Sequence, residues 1–193
     1  MKSNLSFSGA AVKLSLDERE ADSRSNLDAV LDCPANVASC SSFAASSPIS
    51  VSHSADSRVL CVLQREFAVV GPKVDVVGCD DLTNTVVLFL RLGDCVACGH
   101  FDDGILIGTA RCGVRKMVHE LEKHAKMDST ACLRAWIVGG FEDDKRNSAN
   151  VLGLMLAALN ALDRAVDLQL VCSEKRNDHL KQGIHFPRVM GVA

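Results

Sequence analysis

The segment Val86-Val87-Leu88-Phe89-Leu90 decides the fold class of this sequence. Its five residues are apolar without interruption, and such a run indicates a strand that is buried on both faces of a sheet. Gly93-Asp94 then marks a turn, and Cys95 to His100 is a second strand candidate directly after it. Because the turn is short, we expect these two strands to pair with each other.

The flanking segments contain further strand and helix patterns. Apolar residues recur at three- and four-residue steps from Ile107 to Ala125, which predicts an amphipathic helix. A second helix, apolar nearly all round, is predicted from its expected N-cap Ser148 to Ala161. The remaining strand candidates are Val59 to Leu63, Phe67 to Val70, Val74 to Val77, Leu133 to Val138, Leu168 to Cys172 and the incomplete run Val189 to Ala193. We therefore expect an α/β (or α+β) fold, a mixed β-sheet with two main helices.

The first 57 residues differ in composition from the rest of the chain. They contain fifteen of the eighteen serines, and small polar residues dominate from Ala38 to Ser57, which is typical of a mobile tail. A short helix is expected from Asn26 to Cys33, with Ser25 as its N-cap and Pro34 as its end. The sequence thus predicts a largely flexible Ser-rich segment over 1–57 and an α/β domain over 58–193.

Charge and hydropathy argue against several classes of function. Residues 58–193 contain 17 Lys and Arg against 17 Asp and Glu, so we expect no basic face and no nucleic-acid partner. The longest apolar run, Val151 to Leu162, is interrupted by Gly153 and Asn160 and is too short to cross a bilayer, so no membrane partner is expected. Nine cysteines without a signal-peptide pattern favour a reducing compartment, the cytoplasm first and the nucleus second.

The run Cys95-Val96-Ala97-Cys98-Gly99-His100 has the spacing with which a zinc site can begin. Cys112 is the nearest further thiol that could complete such a site, so a small zinc-binding module is one interpretation of the sequence. The alternative is that Cys95 and Cys98 are buried apolar residues on opposite faces of one strand.

Acidic residues precede and follow the two central strands. Asp80 and Asp81 come before the buried run, where paired carboxylates can bind an amine, orient a histidine or simply terminate a strand. His100 is followed two residues later by Asp102, an arrangement in which the carboxylate could orient the imidazole as a base.

Six short segments share their order and spacing with one known family. They are Leu63-Gln64-Arg65-Glu66-Phe67-Ala68-Val69, Gly78-Cys79-Asp80-Asp81-Leu82-Thr83, Val86 to Arg91, His100-Phe101-Asp102, Ile137-Val138-Gly139-Gly140-Phe141-Glu142-Asp143-Asp144 and His185-Phe186-Pro187. Together they resemble the protein N-terminal asparagine amidohydrolases. A fainter similarity, to the plant branch of that family, reaches back over Leu27 to Phe43. Each segment alone is a weak signal, whereas six in the correct order indicate homology.

The resemblance implies a fold and a reaction. The implied fold is of the α/β deamidase type, similar to bacterial glutamine deamidases of chemotaxis receptors. The implied enzyme is a hydrolase of linear amide C–N bonds, which converts the N-terminal Asn of a protein to Asp and ammonia in the N-degron pathway of protein degradation. Its implied partners are proteins or peptides with N-terminal Asn, and it implies no metal or other cofactor. A cysteine thiolate attacks the amide carbon, and a histidine protonates the departing ammonia and then activates water.

The family pattern also assigns candidate site residues. It places Asp-Asp-x-Thr-x-Cys before the buried strand, where this chain has Asp80-Asp81-Leu82-Thr83-Asn84-Thr85. Thr85 therefore occupies the position of the nucleophile, while His100 matches the family histidine and Asp102 the acid after it. We expect the imidazole of His100 to face residue 85 across adjoining strands.

Charge suggests further candidates and an alternative function. Glu66, Asp80 and Asp81 are the expected ligands of the substrate's free α-amino group. Because a threonine hydroxyl is a poor nucleophile without a strong base, a catalytically dead homologue that binds N-terminal Asn or a pathway partner is the alternative. The family pattern continues past Ala193, so the sequence is expected to be a truncated or divergent member with an incomplete C-terminal part.

Overall fold

The computed structural model describes residues 4–7, 9–12, 24–48, 58–102, 107–127 and 130–193. The strands are β1 (Leu5–Phe7), β2 (Ala10–Ala11), β3 (Val59–Cys61), β4 (Phe67–Val70), β5 (Val76–Gly78), β6 (Val86–Leu92), β7 (Cys95–Phe101), β8 (Leu133–Gly139), β9 (Val166–Cys172), β10 (Asp178–Lys181) and β11 (Ile184–Pro187). The helices are α1 (Arg24–Leu31), α2 (Pro34–Ala44), α3 (Ile107–Ala125) and α4 (Asn147–Asn160), and a 3-10 turn covers Glu174–Arg176. Within the described ranges, no helix combines the length and the hydropathy that crossing a membrane requires.

A mixed sheet of seven strands forms the centre of the fold. Its strand order is β2-β1-β9-β8-β6-β7-β4. Strand β6 pairs in antiparallel fashion with both β7 and β8, whereas β9 pairs in parallel with β8 and β1. Two smaller sheets, β3–β5 and β10–β11, are separate from it. The prediction of an α/β fold with a mixed sheet and two main helices is confirmed.

Helices α3 and α4 cover one face of the sheet. Alternate residues of β6, among them Leu88 and Leu90, are fully buried against them. The stripe predicted for α3 supplies Val114, Met117 and Leu121 to the same cluster. This helix-facing layer holds most of the buried apolar side chains, whose removal from water is the dominant stabilising contribution to the fold.

The opposite face of the sheet, which we call the site face, has a thinner cover. It carries Val87, Phe89 and Cys98, which pack with residues of β5 and of the loop that follows it. Helix α2 covers the part of the face formed by β8 and β9, through Cys40. The alternation of side chains along a strand thus separates a helix-facing core from the site face.

Of the N-terminal segment 1–57, the structure describes residues 4–7, 9–12 and 24–48. In its described part, β1 adds a parallel strand to β9, and α1 buries Leu27 and Val30 in the helix-facing core. Pro34 begins α2 instead of only ending α1, since proline is tolerated in the first turn of a helix. Of the predicted mobile stretch from Ala38 to Ser57, residues 49–57 lie outside the described ranges.

The C-terminal run from Val189 to Ala193 does not form the start of a full strand. It makes an isolated antiparallel bridge between Val192 and Cys79. The backbone N–H of Cys79 donates to the carbonyl of Val192 at 2.8 Å, and the N–H of Val192 donates back at 2.9 Å. The run therefore packs across the loop that leads from β5 to β6.

Candidate active site

Thr85 and His100 meet on the site face of the sheet. Thr85 directly precedes β6, and His100 lies on β7 opposite Val87 in the antiparallel ladder. Because side chains alternate, Thr85 and Val87 point to the same face. His100 Nε2 and Thr85 Oγ1 are 2.9 Å apart, and the two residues are 4% and 5% exposed. The structure thus places the imidazole against residue 85, as the sequence predicts.

The contact between Thr85 and His100 is a hydrogen bond that can transfer a proton. In one tautomer of the imidazole the hydroxyl donates to Nε2, and in the other Nε2 donates to the hydroxyl. Only the first arrangement makes His100 a base for Thr85. Burial excludes water from this bond and strengthens its electrostatic component.

Asp102 does not orient the imidazole, in contrast to one expectation from the sequence. Its Oδ2 accepts hydrogen bonds from Gln64 Nε2 at 3.0 Å and from Arg65 Nε. The guanidinium and the amide of the preceding loop therefore hold this buried carboxylate. His100 Nδ1 is buried without a hydrogen-bond partner among the described residues.

The loop before β4 holds the end of β7 in place. The N–H of Arg65 donates to the carbonyl of His100 at 2.9 Å, and the N–H of His100 donates to the carbonyl of Glu66 at 3.0 Å. Arg65 has a φ of 68°, a left-handed conformation, and its guanidinium is paired with Asp102. The loop therefore fixes the backbone on which the imidazole stands.

A cavity of about 310 Å³ lies beside His100. Its lining is formed by Arg65, Glu66, Phe67, His100, Phe101, Asp102, Thr109 and Gly113. The structure thus brings Glu66 together with His100 and Asp102 at one cavity. Asp80 and Asp81 are not part of this lining: Asp80 packs against Gly191, and Asp81 is exposed with a φ of 58°.

The loop after β8 comes close to the backbone of Thr85. Gly139 pairs with Val86 and has a φ of 109°. A Cβ added at Gly139 would lie 2.6 Å from the carbonyl oxygen of Thr85, so only glycine allows this approach. Gly139 therefore admits the backbone of Thr85 beside the end of β8.

The same loop caps helix α4, and the predicted N-cap was wrong. Asp143, not Ser148, satisfies the first N–H groups of the helix: its carboxylate accepts from the N–H of Asn147 at 2.9 Å and of Ser148 at 2.8 Å. Ser148 Oγ instead accepts from the N–H of Phe141 at 3.1 Å. These bonds fix the loop that follows β8.

The proposed zinc ligands do not converge. Cys95 belongs to the helix-facing core, Cys98 to the cluster on the site face, and Cys112 is exposed on α3. Because the two cysteines of the run lie on opposite faces of β7, they cannot bind one ion together with His100. The interpretation as buried apolar residues on opposite faces is the one the structure supports.

Sequence reasoning missed the role of Asn177. Its buried amide donates to the carbonyl of Gly140 at 2.8 Å and accepts from the N–H of Val189 at 2.8 Å. This side chain therefore ties the loop after β8 to the C-terminal run. A single Asn in a polar segment carries no sequence signal for such a role.

A second, charged cavity of about 460 Å³ lies near the ends of β8 and β9. Burial, and then the charges of Asp143 and Glu142, raise the pKa of Glu174 in its lining to about 7. Among the described residues, Glu142, Asp178 and His185 place potential ligand atoms within 4.8 Å of one another. His185 Nδ1 forms a hydrogen bond of 2.7 Å with Asp178 Oδ2, and this hydrogen bond raises the pKa of His185.

Comparison with known proteins supports the resemblance seen in the sequence. The family described as protein N-terminal asparagine amidohydrolase matches residues 49–193. The mouse protein named protein N-terminal asparagine amidohydrolase is 28% identical over 139 residues, which are 70% of this chain and 44% of the mouse protein. The human protein of that name is 27% identical over the same shares. The chain thus spans less than half the length of these relatives.

Proposed function

Since this chain belongs to the protein N-terminal asparagine amidohydrolase family, we propose that it hydrolyses the side-chain amide of an N-terminal asparagine to aspartate and ammonia. One observation carries the proposal to this chain's own residues, namely the buried hydrogen bond of 2.9 Å between Thr85 Oγ1 and His100 Nε2. It joins the residue at the family's nucleophile position to the family histidine. The substrates are proteins or peptides that begin with Asn.

Thr85 and His100 divide the chemistry between them. His100 Nε2 accepts the hydroxyl proton as Thr85 Oγ1 attacks the amide carbon of the substrate side chain. The imidazolium then returns the proton to the departing ammonia, which leaves an ester between Thr85 and the aspartyl group. Water activated by His100 hydrolyses this ester, so the net reaction consumes one amide and one water.

The cavity beside His100 is the site in which we place the substrate's α-amino group. Glu66 and the pair of Asp102 and Arg65 lie in its lining. The carboxylate of Asp102 is already bonded to Arg65 and Gln64, so the exposed carboxylate of Glu66 is the stronger candidate for the ammonium group. Asp80 and Asp81, outside this lining, are the weaker candidates.

A second candidate function follows from the nucleophile itself. A threonine hydroxyl is far less acidic than a cysteine thiol, whose ordinary pKa is about 8.5. In addition, Asp102 is engaged by Arg65 and does not assist His100. A homologue that binds N-terminal Asn without turnover is therefore the alternative, carried by Thr85.

The experiment compares two peptides that differ only at the first amine. One begins with free Asn, and its twin carries an acetyl group there. We expect ammonia release from the free peptide alone, and its loss in a His100→Ala variant. Saturable binding of the free peptide without release would favour the second function, and equal behaviour of both peptides would contradict both functions.

The cellular setting of the proposed reaction follows from its product. A new N-terminal Asp can be arginylated and lead to degradation, so the proposed role belongs to the N-degron pathway. We place it in the cytoplasm and, second, in the nucleus, consistent with nine free thiols among the residues of the chain.

A further inference from the structure

Two buried thiols lie next to the candidate active site, and the proposed reaction uses neither of them. Cys79 directly follows β5, and Cys98 lies on β7 two residues before His100. Their Sγ atoms are 3.7 Å apart, and both side chains belong to the apolar cluster on the site face. The contact joins the loop that leads to Thr85 with the strand that carries His100.

The position of the two sulfur atoms suits a disulfide. Cys98 is held within the sheet, where it pairs with Ala68 on one side and Phe89 on the other. Cys79 is held more weakly, by its isolated bridge to Val192. A disulfide bond is about 2.05 Å long, so a shift of roughly 1.6 Å at the Cys79 side would close the present separation.

The two thiols differ in acidity, which prepares one of them to react. The pKa of Cys79 is lowered to about 6, chiefly by the hydrogen bond with Cys98. Burial and the charge of Asp80 act against this lowering, whereas the hydrogen bond and charge of His100 add to it. The same contact, followed by burial, raises the pKa of Cys98. A thiolate in contact with a thiol is the arrangement of an attacking and a resolving cysteine.

We propose that Cys79 and Cys98 form a reversible disulfide, a redox modification site that adjoins the pair of Thr85 and His100. The oxidant is a hydroperoxide. The thiolate of Cys79 attacks the peroxide, the O–O bond breaks, an alcohol or water leaves with one proton, and Cys79 becomes a sulfenic acid. The sulfur of Cys98 then attacks that of Cys79, the S–S bond forms, and the hydroxyl leaves as water with the proton of Cys98.

The test maps the disulfide in the full chain after exposure to hydrogen peroxide. Remaining thiols are alkylated before digestion with trypsin, which places Cys79 in peptide 74–91 and Cys98 in peptide 92–111. We expect these two peptides to be joined, with a mass two hydrogens below the sum of peptide 74–91 and of peptide 92–111 alkylated at Cys95 alone. Treatment with dithiothreitol should separate them again.

Cys95→Ala is the matched control, because Cys95 lies in the same tryptic peptide as Cys98 but in the helix-facing core. The joined pair should survive Cys95→Ala and disappear in Cys98→Ala. If Cys98→Ala fails to fold, the joined pair in Cys95→Ala still decides the proposal, because Cys98 is then the only cysteine of peptide 92–111.

Two outcomes would overturn the proposal. One is a crosslink between peptide 92–111 and peptide 59–65, which contains Cys61, in place of the expected pair. The other is over-oxidation of Cys79 with no crosslink to Cys98. Both outcomes concern the thiols alone, so they leave the proposed amidohydrolase activity untouched.

Discussion

At the scale of single residues, Thr85 and His100 satisfy each other's polar atoms in a buried site. The hydroxyl and Nε2 are 2.9 Å apart, and each would otherwise be a polar group removed from water at a cost. The bond therefore has a structural role, beside the catalytic one that we propose for it. The structural role can be measured, because Thr85→Val removes the hydroxyl whereas Thr85→Ser keeps it.

Thr85→Val should destabilise the protein by roughly 1–3 kcal/mol, because it leaves Nε2 of His100 buried without its partner. Thr85→Ser is the matched variant, since it keeps the hydroxyl and should lose less. Urea denaturation of the two variants measures the difference. Equal stability of the two would show that the hydrogen bond contributes nothing to the fold.

Glu174 is predicted to make stability fall as the pH rises. Its pKa is raised from 4.5 to about 7, chiefly by burial, so the folded state keeps a proton that the unfolded state has already lost. The destabilisation is absent below about pH 4.5 and complete above about pH 7. Glu174→Gln removes this pH-dependent destabilisation. Above pH 7 the free energy of unfolding of the variant should therefore exceed that of the wild type by roughly 1 kcal/mol, after allowance for the partial exposure of Glu174.

Denaturation curves at several pH values measure this effect. Glu120→Gln is the control of opposite sign, since the hydrogen bond from Lys123 lowers the pKa of the exposed Glu120. If the advantage of Glu174→Gln over the wild type does not grow with pH, the buried environment assigned to Glu174 is wrong.

At the scale of elements, the end of β8 lies against the start of β6. Gly139→Ala would place a Cβ 2.6 Å from the carbonyl oxygen of Thr85, and backbone cannot move as a side chain can. We expect a loss of roughly 2–4 kcal/mol, together with loss of the proposed activity. Chemical denaturation and the ammonia assay measure the two effects.

Gly183→Ala is the matched control for that substitution. Gly183 also has a positive φ, of 79°, but nothing lies within 4 Å of an added Cβ. Gly183→Ala should lower the free energy of unfolding only by the strain of a positive φ at alanine, about 1 kcal/mol. A similar loss at both glycines would mean that the contact with Thr85 is not tight.

The strands and the two long helices could be predicted because local patterns determine them. The apolar run of β6 and the stripe of α3 follow periods of burial that a sequence displays directly. Helix α2 was missed because its small polar residues have no stripe. It is held instead by Asn36, whose buried amide accepts from the N–H of Val171 at 2.8 Å, a contact across 135 residues.

The part of the site that depends on strand pairing could be predicted, because side chains alternate between the two faces of a sheet. The family order gave positions 85 and 100, and strand pairing puts them together. The partner of Asp102 was not predictable, because Arg65 reaches it through a left-handed loop conformation. The contact of Cys79 with Cys98 likewise depends on where an irregular loop returns to the sheet.

At the scale of the whole molecule, one face of the sheet forms the main apolar core and the other carries the candidate active site. The helix-facing core supplies most of the buried apolar side chains, and the site face carries Thr85 and His100 beneath a thinner cover.

Leu88→Ala tests that division. Leu88 is fully buried on β6 in the helix-facing core, so the cavity should destabilise the protein by about 2–5 kcal/mol. Leu180, which is 59% exposed, serves as the control, and Leu180→Ala should change stability by less than about 0.5 kcal/mol. Thermal or urea unfolding measures both changes, and a small effect of Leu88→Ala would contradict the burial of Leu88 in the helix-facing core.

The rate at which Thr85→Cys releases ammonia from a peptide with a free N-terminal Asn tests whether residue 85 and His100 form the active site. The substitution puts a more acidic nucleophile at the position from which Thr85 Oγ1 contacts His100 Nε2, so we predict a rate about 100-fold or more above that of the wild type. The acetylated peptide should stay unreactive, and Thr83→Cys, an exposed thiol in the same loop, should not raise the rate. No rise with Thr85→Cys, or an equal rise with Thr83→Cys, would contradict the claim that residue 85 and His100 form the active site.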